Sequence, residues 1–238
     1  MTTSNTTIYQ IGRDDIITAA LRKLGVIAIG QTPDTDSISN GAMALNMVIS
    51  SLRTIGMPLW ARKSYTFSPI ANQATYNIGI GQALNTAYPL HVLQAYRQDS
   101  SSTTKIKMEV IPNFNYNLYP TSSGGIPIQL SYQPLVNYGV ISVWPTPDTT
   151  ATSSSITVVY QAPYQYFNSS TDTLDFPEEW YLAIVYKLAT VLAPEWGIPL
   201  ADRQTILKEA EMYAQQAASM GYEDGSLFIQ PSFVGRGM

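Results

Sequence analysis

The hydrophobic period changes twice along this chain. Apolar residues recur at helical spacing in a block near each end, and at strand spacing through the long segment between them. A chain patterned this way is neither all-α nor all-β, and helices of this length need a partner for their apolar stripes. The opening block holds "DDIITAALRKLG". Asp14 and Asp15 suit a first helical turn, and Ile16, Ile17, Ala20, Leu21 and Leu24 form its stripe. Arg22 and Lys23 occupy the last turn, and Gly25 is placed as the terminating glycine. After the turn-rich connector "QTPDTDS", a second helix is expected from Ser37 to Ile55. Its stripe is Ile38, Ala42, Leu45, Ile49, Leu52 and Ile55. Met43, Met47 and Val48 widen that stripe toward more than one partner, and Gly56 and Pro58 end it.

The period then shortens. "WARKSYTFSP", "ATYNIGIG", "PLHVLQAYRQ", "STTKIKMEVIP", "IPIQLSYQP", "GVISVWP" and "SSITVVYQA" read as strands. The fourth alternates Ile106, Met108 and Val110 against Lys105, Lys107 and Glu109, the pattern of a half-solvated strand. Short links without convincing crossover helices predict antiparallel pairing, with "YPTSSGGIP" and the hairpin-like "PTPDTTATSSS" as exposed loops.

Helical spacing returns in "DFPEEWYLAIVYKLATVLAPEWG". Pro177, Glu178 and Glu179 suit its first turn. Trp180, Ile184, Leu188 and Val191 share one face, with Tyr181, Val185 and Leu192 beside it, and Pro194 and Gly197 bring it to an end. "LADRQTILKEAEMYAQQAASMG" follows, with a stripe of Ile206, Leu207, Ala210, Tyr213, Ala214 and Ala217. The fold class expected is therefore α+β. Helices 1–2 and 3–4 form an antiparallel four-helix bundle, an antiparallel β domain is inserted between the second and third, and an extended C-terminal tail follows. The expected boundaries are 12–58 and 175–220 for the two halves of the bundle, 59–170 for the β domain and 221–238 for the tail.

Composition narrows the chemistry. Charged residues make up 13% of the chain against roughly 25% in ordinary domains. The surface is therefore charge-poor, and 16 tyrosines give it rigid contact area with a polar handle, a composition that suits assembly. There is no cysteine, which excludes disulfides and thiolate chemistry. The N-terminal stretch lacks a basic region followed by an apolar run, and no apolar run is long enough to span a bilayer, so neither a secretory signal nor a membrane partner is expected. His91 is the only histidine, which leaves no second imidazole for a metal site or a relay. Asp34 and Asp36, like Glu178 and Glu179, sit where helices start and read as caps. Asp172 and Asp175 lack the rest of a calcium-loop pattern. No phosphate-binding loop, dinucleotide fingerprint or serine-hydrolase elbow is present. The expectation is a protein with no catalytic, cofactor-binding or metal-binding residues.

"DIITAALRKLGV", "DTDSISNGAMALNMVISSLRTIGMPLWA", "YGVISVWPTPD", "DFPEEWYLAIVYKLATVLAPEWGIPL" and "ILKEAEMYAQQA" resemble, in order and arrangement, segments of the phage head-to-tail adaptor (head-completion, connector) family of podophages. The first helix and the "FPEEWYLAIVYKLATVLAPEWG" block carry most of the likeness, and the β segment less. The resemblance implies a structural virion protein, not an enzyme. It implies a homododecameric ring beneath the portal that extends the DNA channel, gives the tail its docking surface and takes part in DNA ejection. The expected location is the portal-vertex neck of the virion, after synthesis in the host bacterial cytoplasm. The implied partners are further copies of the chain, the portal protein, and tail nozzle or tail fibre proteins, with DNA only as a passing contact in the channel. By the same likeness Leu227, Phe228, Ile229, Pro231, Phe233 and Val234 form a portal-docking tail, and Met43, Met47, Tyr181 and Tyr213 contribute subunit contacts. In a ring, Arg13, Arg22, Lys23 and Arg53 would multiply into a basic channel lining, although ordinary solvation accounts for them equally well. The alternative is another tail component, such as a fibre- or nozzle-associated attachment protein. A cell-wall hydrolase comes third, because it needs a cleft with a perturbed carboxylate.

Overall fold

The computed structural model describes residues 9–52, 61–120, 122–173 and 175–220. Arg53, the stretch from 53 to 58 expected to finish the second helix, and the apolar tail at 221–238 lie outside the described residues. The element order is α1 (Arg13–Lys23), α2 (Thr35–Leu52), β1 (Arg62–Phe67), β2 (Thr75–Ile78), β3 (His91–Asp99), β4 (Lys105–Ile111), α3 (Asn113–Tyr116), β5 (Gly124–Gly125), β6 (Gln129–Pro134), β7 (Gly139–Trp144), β8 (Thr146–Pro147), β9 (Ser154–Gln161), α4 (Tyr181–Leu192) and α5 (Leu200–Met220).

The helix ends follow local chemistry. Asp34 caps α2, with the Ser37 amide donating to its carboxylate at 2.8 Å. α1 closes when Gly25 takes φ +70, so that the Gly25 amide reaches the Arg22 carbonyl and the Val26 amide the Leu21 carbonyl. The same pair of bonds recurs after α4. Gly197, at φ +64, donates to Pro194 and Ile198 donates to Ala193, which turns the chain back into α5.

These helices do not form the expected four-helix bundle. α4 is the centre: Ala183, Ile184, Val185, Tyr186, Leu188, Ala189 and Leu192 are all buried, which covers most of the helix's circumference. α1, α2 and α5 each pack against α4, and α5 has no comparable packing against α1 or α2. A bundle helix shows one apolar stripe. A helix that is apolar nearly all round is surrounded instead, and the others gather about it. Val191, assigned to the buried face, is 42% exposed.

The larger element is a seven-stranded sheet in the order β1-β9-β3-β4-β6-β7-β2. It is not antiparallel throughout, as expected, because β4 and β6 run parallel, with Glu109 opposite Gln129 and Ile111 opposite Ser131. The helix described in the crossover between them, residues 112–128, is the four-residue α3, too short to show a helical period. "PTPDTTATSSS" is not a hairpin either. It joins β7 to β9, which do not pair, and β8 within it makes a small separate ladder with β5. The sheet curls until its two edge strands approach, so that Phe67 of β1 and Tyr76 of β2 meet with ring centroids 5.0 Å apart. Inside lie Ile78, Met108, Leu130, Ile141, Val143, Ile156 and Val158. This mixed α and β architecture, dominated by the curled sheet, replaces a bundle with a smaller insertion.

The buried residues form two clusters, one under the sheet and one around α4. The strand-to-helix link after β9 belongs to the second. Tyr164 and Phe167 are buried there, and Phe176 lies between Tyr164 at 4.5 Å and Trp180 at 6.1 Å. Asn46 of α2 fastens this link by donating to the Phe167 carbonyl and accepting from the Phe167 amide, both at 3.0 Å.

Candidate interaction surfaces

Two apolar features on the surface of the helical layer bear on the residues singled out above. Met43 and Met47 lie one turn apart on the outer face of α2, 57% and 67% exposed, while Ala44, Leu45, Val48 and Ile49 between and beside them are buried. α2 must face inward toward α1 and α4, so its widened stripe leaves the two methionines outside. Methionine is flexible and polarizable, and an exposed pair suits an adaptable contact. The second feature is a groove of about 550 Å³ between the chain entering α1 and the start of α4. Tyr9, Ile11 and Ala19 form one wall and Tyr181, Leu182 and Val185 the other, with Lys23, Glu178 and Glu179 at its rim. The Tyr9 amide donates to the Glu178 carboxylate at 3.2 Å and its ring lies 6.0 Å from Tyr181, which holds the entering chain across the groove.

The other residues singled out from the sequence are spread around this layer. Tyr181 is 8% exposed and belongs to the core around α4, so its ring leaves little surface for a second copy. Burial is the main cause that raises its phenol, with Glu178 adding to it. Tyr213 is half-buried on Tyr186, centroids 5.1 Å apart. Lys23 is also placed over Tyr186, its ammonium 5.1 Å from the ring centroid. Arg13 is tied to Asp14 at 2.8 Å, and Arg22 is exposed. The structure thus brings Lys23, Tyr186 and Tyr213 together and leaves Met43 and Met47 on another face.

The sheet carries a third surface that sequence reasoning missed. On and after α3 the crossover exposes Phe114 at 77%, Leu118 at 73%, Ile126 at 40% and Ile128 at 52%. Tyr119 of the same crossover stacks on Trp144, centroids 4.6 Å apart and planes 22° apart. The Trp144 indole donates to the Pro120 carbonyl at 3.2 Å, so the crossover is pinned to β7 while its apolar tips face outward. The only signal in "NFNYNLYPTSSGGIPI" was apolar residues in a loop, which have no period to register.

Several polar groups singled out from the sequence are engaged in local structure. His91 is exposed and borders a hollow of about 320 Å³ with Val110, Ile111 and Tyr132. Tyr132 donates to the Pro89 carbonyl, and burial pushes its phenol far above the usual range. Asp172 accepts from the Asn168 and Ser169 amides at 2.8 and 2.7 Å, and these bonds hold its carboxyl below the ordinary value. Asp148 is lowered the same way, first by Thr150 and then by the Ala151 amide. Among the described residues no group of three or more His, Cys, Asp or Glu could hold a metal ion, and no helix is long and apolar enough to cross a membrane. No model of a known protein family matches the sequence, and no curated protein matches it.

Proposed function

We propose that this chain is a structural subunit of a phage virion, an adaptor that joins the portal to the tail in a ring and extends the DNA channel, with no catalytic role of its own. The observation that carries the reading is the pair of separate exposed apolar surfaces, Met43 and Met47 on α2 and Phe114, Leu118, Ile126 and Ile128 on the crossover. Large apolar side chains grouped on a soluble surface mark places where something binds. Two such groups, on different elements, suit a subunit with neighbours on more than one side, as a ring member with heterologous contacts requires. The charge-poor composition and the resemblance of the α1 and α4 segments to podophage adaptors point the same way. In such a ring the exposed Arg22 repeats once per copy and supplies a non-specific electrostatic contact to passing DNA.

The deciding experiment is light scattering of the chain alone and with a matching portal, followed by electron cryo-microscopy of the complex. A ring of portal symmetry bound to the portal is expected. A trimer indifferent to portal would reject the adaptor reading in favour of a fibre-associated component.

A further inference from the structure

We infer that the hollow between the crossover and the end of β7 binds one ring of a neutral saccharide, with Tyr119 and Trp144 as its aromatic platform and Asn72 as its hydrogen-bonding side chain. This goes beyond the adaptor reading and does not depend on it. The hollow measures about 200 Å³ and is lined by Asn72, Ala74, Tyr116, Tyr119, Trp144 and Thr146. Sites that enclose a drug-sized ligand start at about 300 Å³, so this one admits a single small ring. Its walls come from three segments that are bonded to one another. The Asn72 amide donates to the Pro147 carbonyl at 2.8 Å, and the Val143 amide donates to the Ala74 carbonyl at 2.9 Å, which fastens the turn at 72–74 to β7 and β8. From the other side, Tyr119 stacks on Trp144 and the Trp144 indole donates to the Pro120 carbonyl. The platform is therefore in place before a ligand arrives, which lowers the cost of binding.

The chemistry of the lining selects the ligand class. An aromatic face is electron-rich, and the C–H face of a pyranose ring is apolar and weakly positive, so the two pack together. The hydroxyls at the edge of such a ring both donate and accept hydrogen bonds, and a carboxamide does the same. The Asn72 carboxamide and the Tyr119 hydroxyl make no hydrogen bond among the described residues, so both are free to meet those hydroxyls. Asn72 also holds φ +62, the one non-glycine residue with a positive φ among the described residues. Asparagine tolerates that conformation better than most side chains, and residues kept there cluster at binding sites. None of the six lining side chains is ionised at neutral pH, so a phosphate or a sulfated or acidic sugar finds no cation there. Proline-rich peptides also lie on aromatic rings, but they are extended helices that need an open groove. This hollow is closed by the turn, the crossover and the β7–β8 corner.

The test titrates the ¹⁵N-labelled full-length chain with the methyl glycosides of glucose, galactose, mannose and N-acetylglucosamine, each to about 50 mM. A ligand of this size binds with a Kd on the order of 1 mM. The readout is the Trp144 indole N–H resonance, assigned by its loss in Trp144→Phe. At least one glycoside is expected to shift it saturably. Asn72→Gly removes the carboxamide, and glycine is at ease at a positive φ, so the turn keeps its shape. An indole resonance in its parental position before titration shows that the platform is intact in this variant. Its affinity for the same glycoside should fall about tenfold, the loss expected for one or two hydrogen bonds. Three results would overturn the inference: no glycoside shifts the resonance, Asn72→Gly binds as well as the parent, or decaproline shifts the resonance where the glycosides do not.

Discussion

Gly41 separates local preference from packing in this fold. It lies within α2, is buried, and faces Ile17 of α1, which is 0% exposed. A Cβ added at Gly41 would come within 3.2 Å of Ile17 Cγ1 and nearer still to Cγ2, against about 3.5–4.0 Å for comfortable carbon contact. Helix propensity alone favours Gly41→Ala by about 1 kcal/mol. Overpacking a well-filled core costs about 1–3 kcal/mol, and Ile17 is wholly buried. The packing term wins, so Gly41→Ala should destabilise by up to about 2 kcal/mol. For a chain of this size that lowers the melting temperature by up to roughly 8 °C. Ile17→Ala alone should cost about 2–5 kcal/mol through its cavity. In the double variant the methyl added at Gly41 fills part of that cavity and the helix gains its propensity term, so the two changes should couple favourably by about 1–3 kcal/mol. Urea denaturation of the four proteins, followed by circular dichroism and by tryptophan fluorescence, measures the cycle. A Gly41→Ala chain more stable than the parent, or strictly additive effects, would refute the claim that helix contact, not backbone freedom, selects glycine here.

Two further outcomes test the surface and the loops. Met43→Glu with Met47→Glu should change the stability of the free chain by less than about 0.5 kcal/mol, because both side chains are already exposed. Full burial of a methionine is worth about 1.5–3 kcal/mol and more than half of each remains uncovered, so covering both contributes roughly 2–4 kcal/mol per contact. Self-association measured by light scattering should therefore weaken by about 30- to 1,000-fold, and unimpaired assembly at an unchanged melting temperature would remove the methionine pair from the interface. Asp34, Asp148 and Asp172 all have carboxyls held below the ordinary value of 3.8 by hydrogen bonds that exist only when the chain is folded. The unfolded chain binds more protons near pH 4, so their contribution is complete above the unfolded value and is lost as pH falls through the lowered folded values. Replacing all three by asparagine should flatten the decline in melting temperature below about pH 4; a decline as steep as the parent's would show that these turns do not set the acid sensitivity.

The same contrast between local and distant causes explains what the sequence disclosed. α1 was legible from end to end because its acidic first turn, stripe and Gly25 act within a few residues of one another. The strands were legible because alternation is local too: Met108 is buried between exposed Lys107 and Glu109. The parallel pairing of β4 with β6 was not, because it depends on a crossover whose described helix is four residues long. Nor was the closing contact of Phe67 with Tyr76, which joins opposite edges of the sheet and leaves no mark in either strand's own pattern. α4 is the instructive case. Its two adjoining faces were visible in Trp180, Ile184 and Leu188 beside Tyr181, Val185 and Leu192, and a stripe that wide already describes a helix enclosed on most of its circumference. Taking it as one quarter of a bundle assigned Val191 to the core, and the structure leaves it 42% exposed. The interaction surfaces follow the same rule. Met43 and Met47 were found because they widen a periodic stripe, whereas Phe114, Leu118, Ile126 and Ile128 lie where the backbone has no period, so only the folded crossover shows them on one exposed segment. An exposed apolar residue is thus legible in sequence only when a regular element says which way it should have pointed.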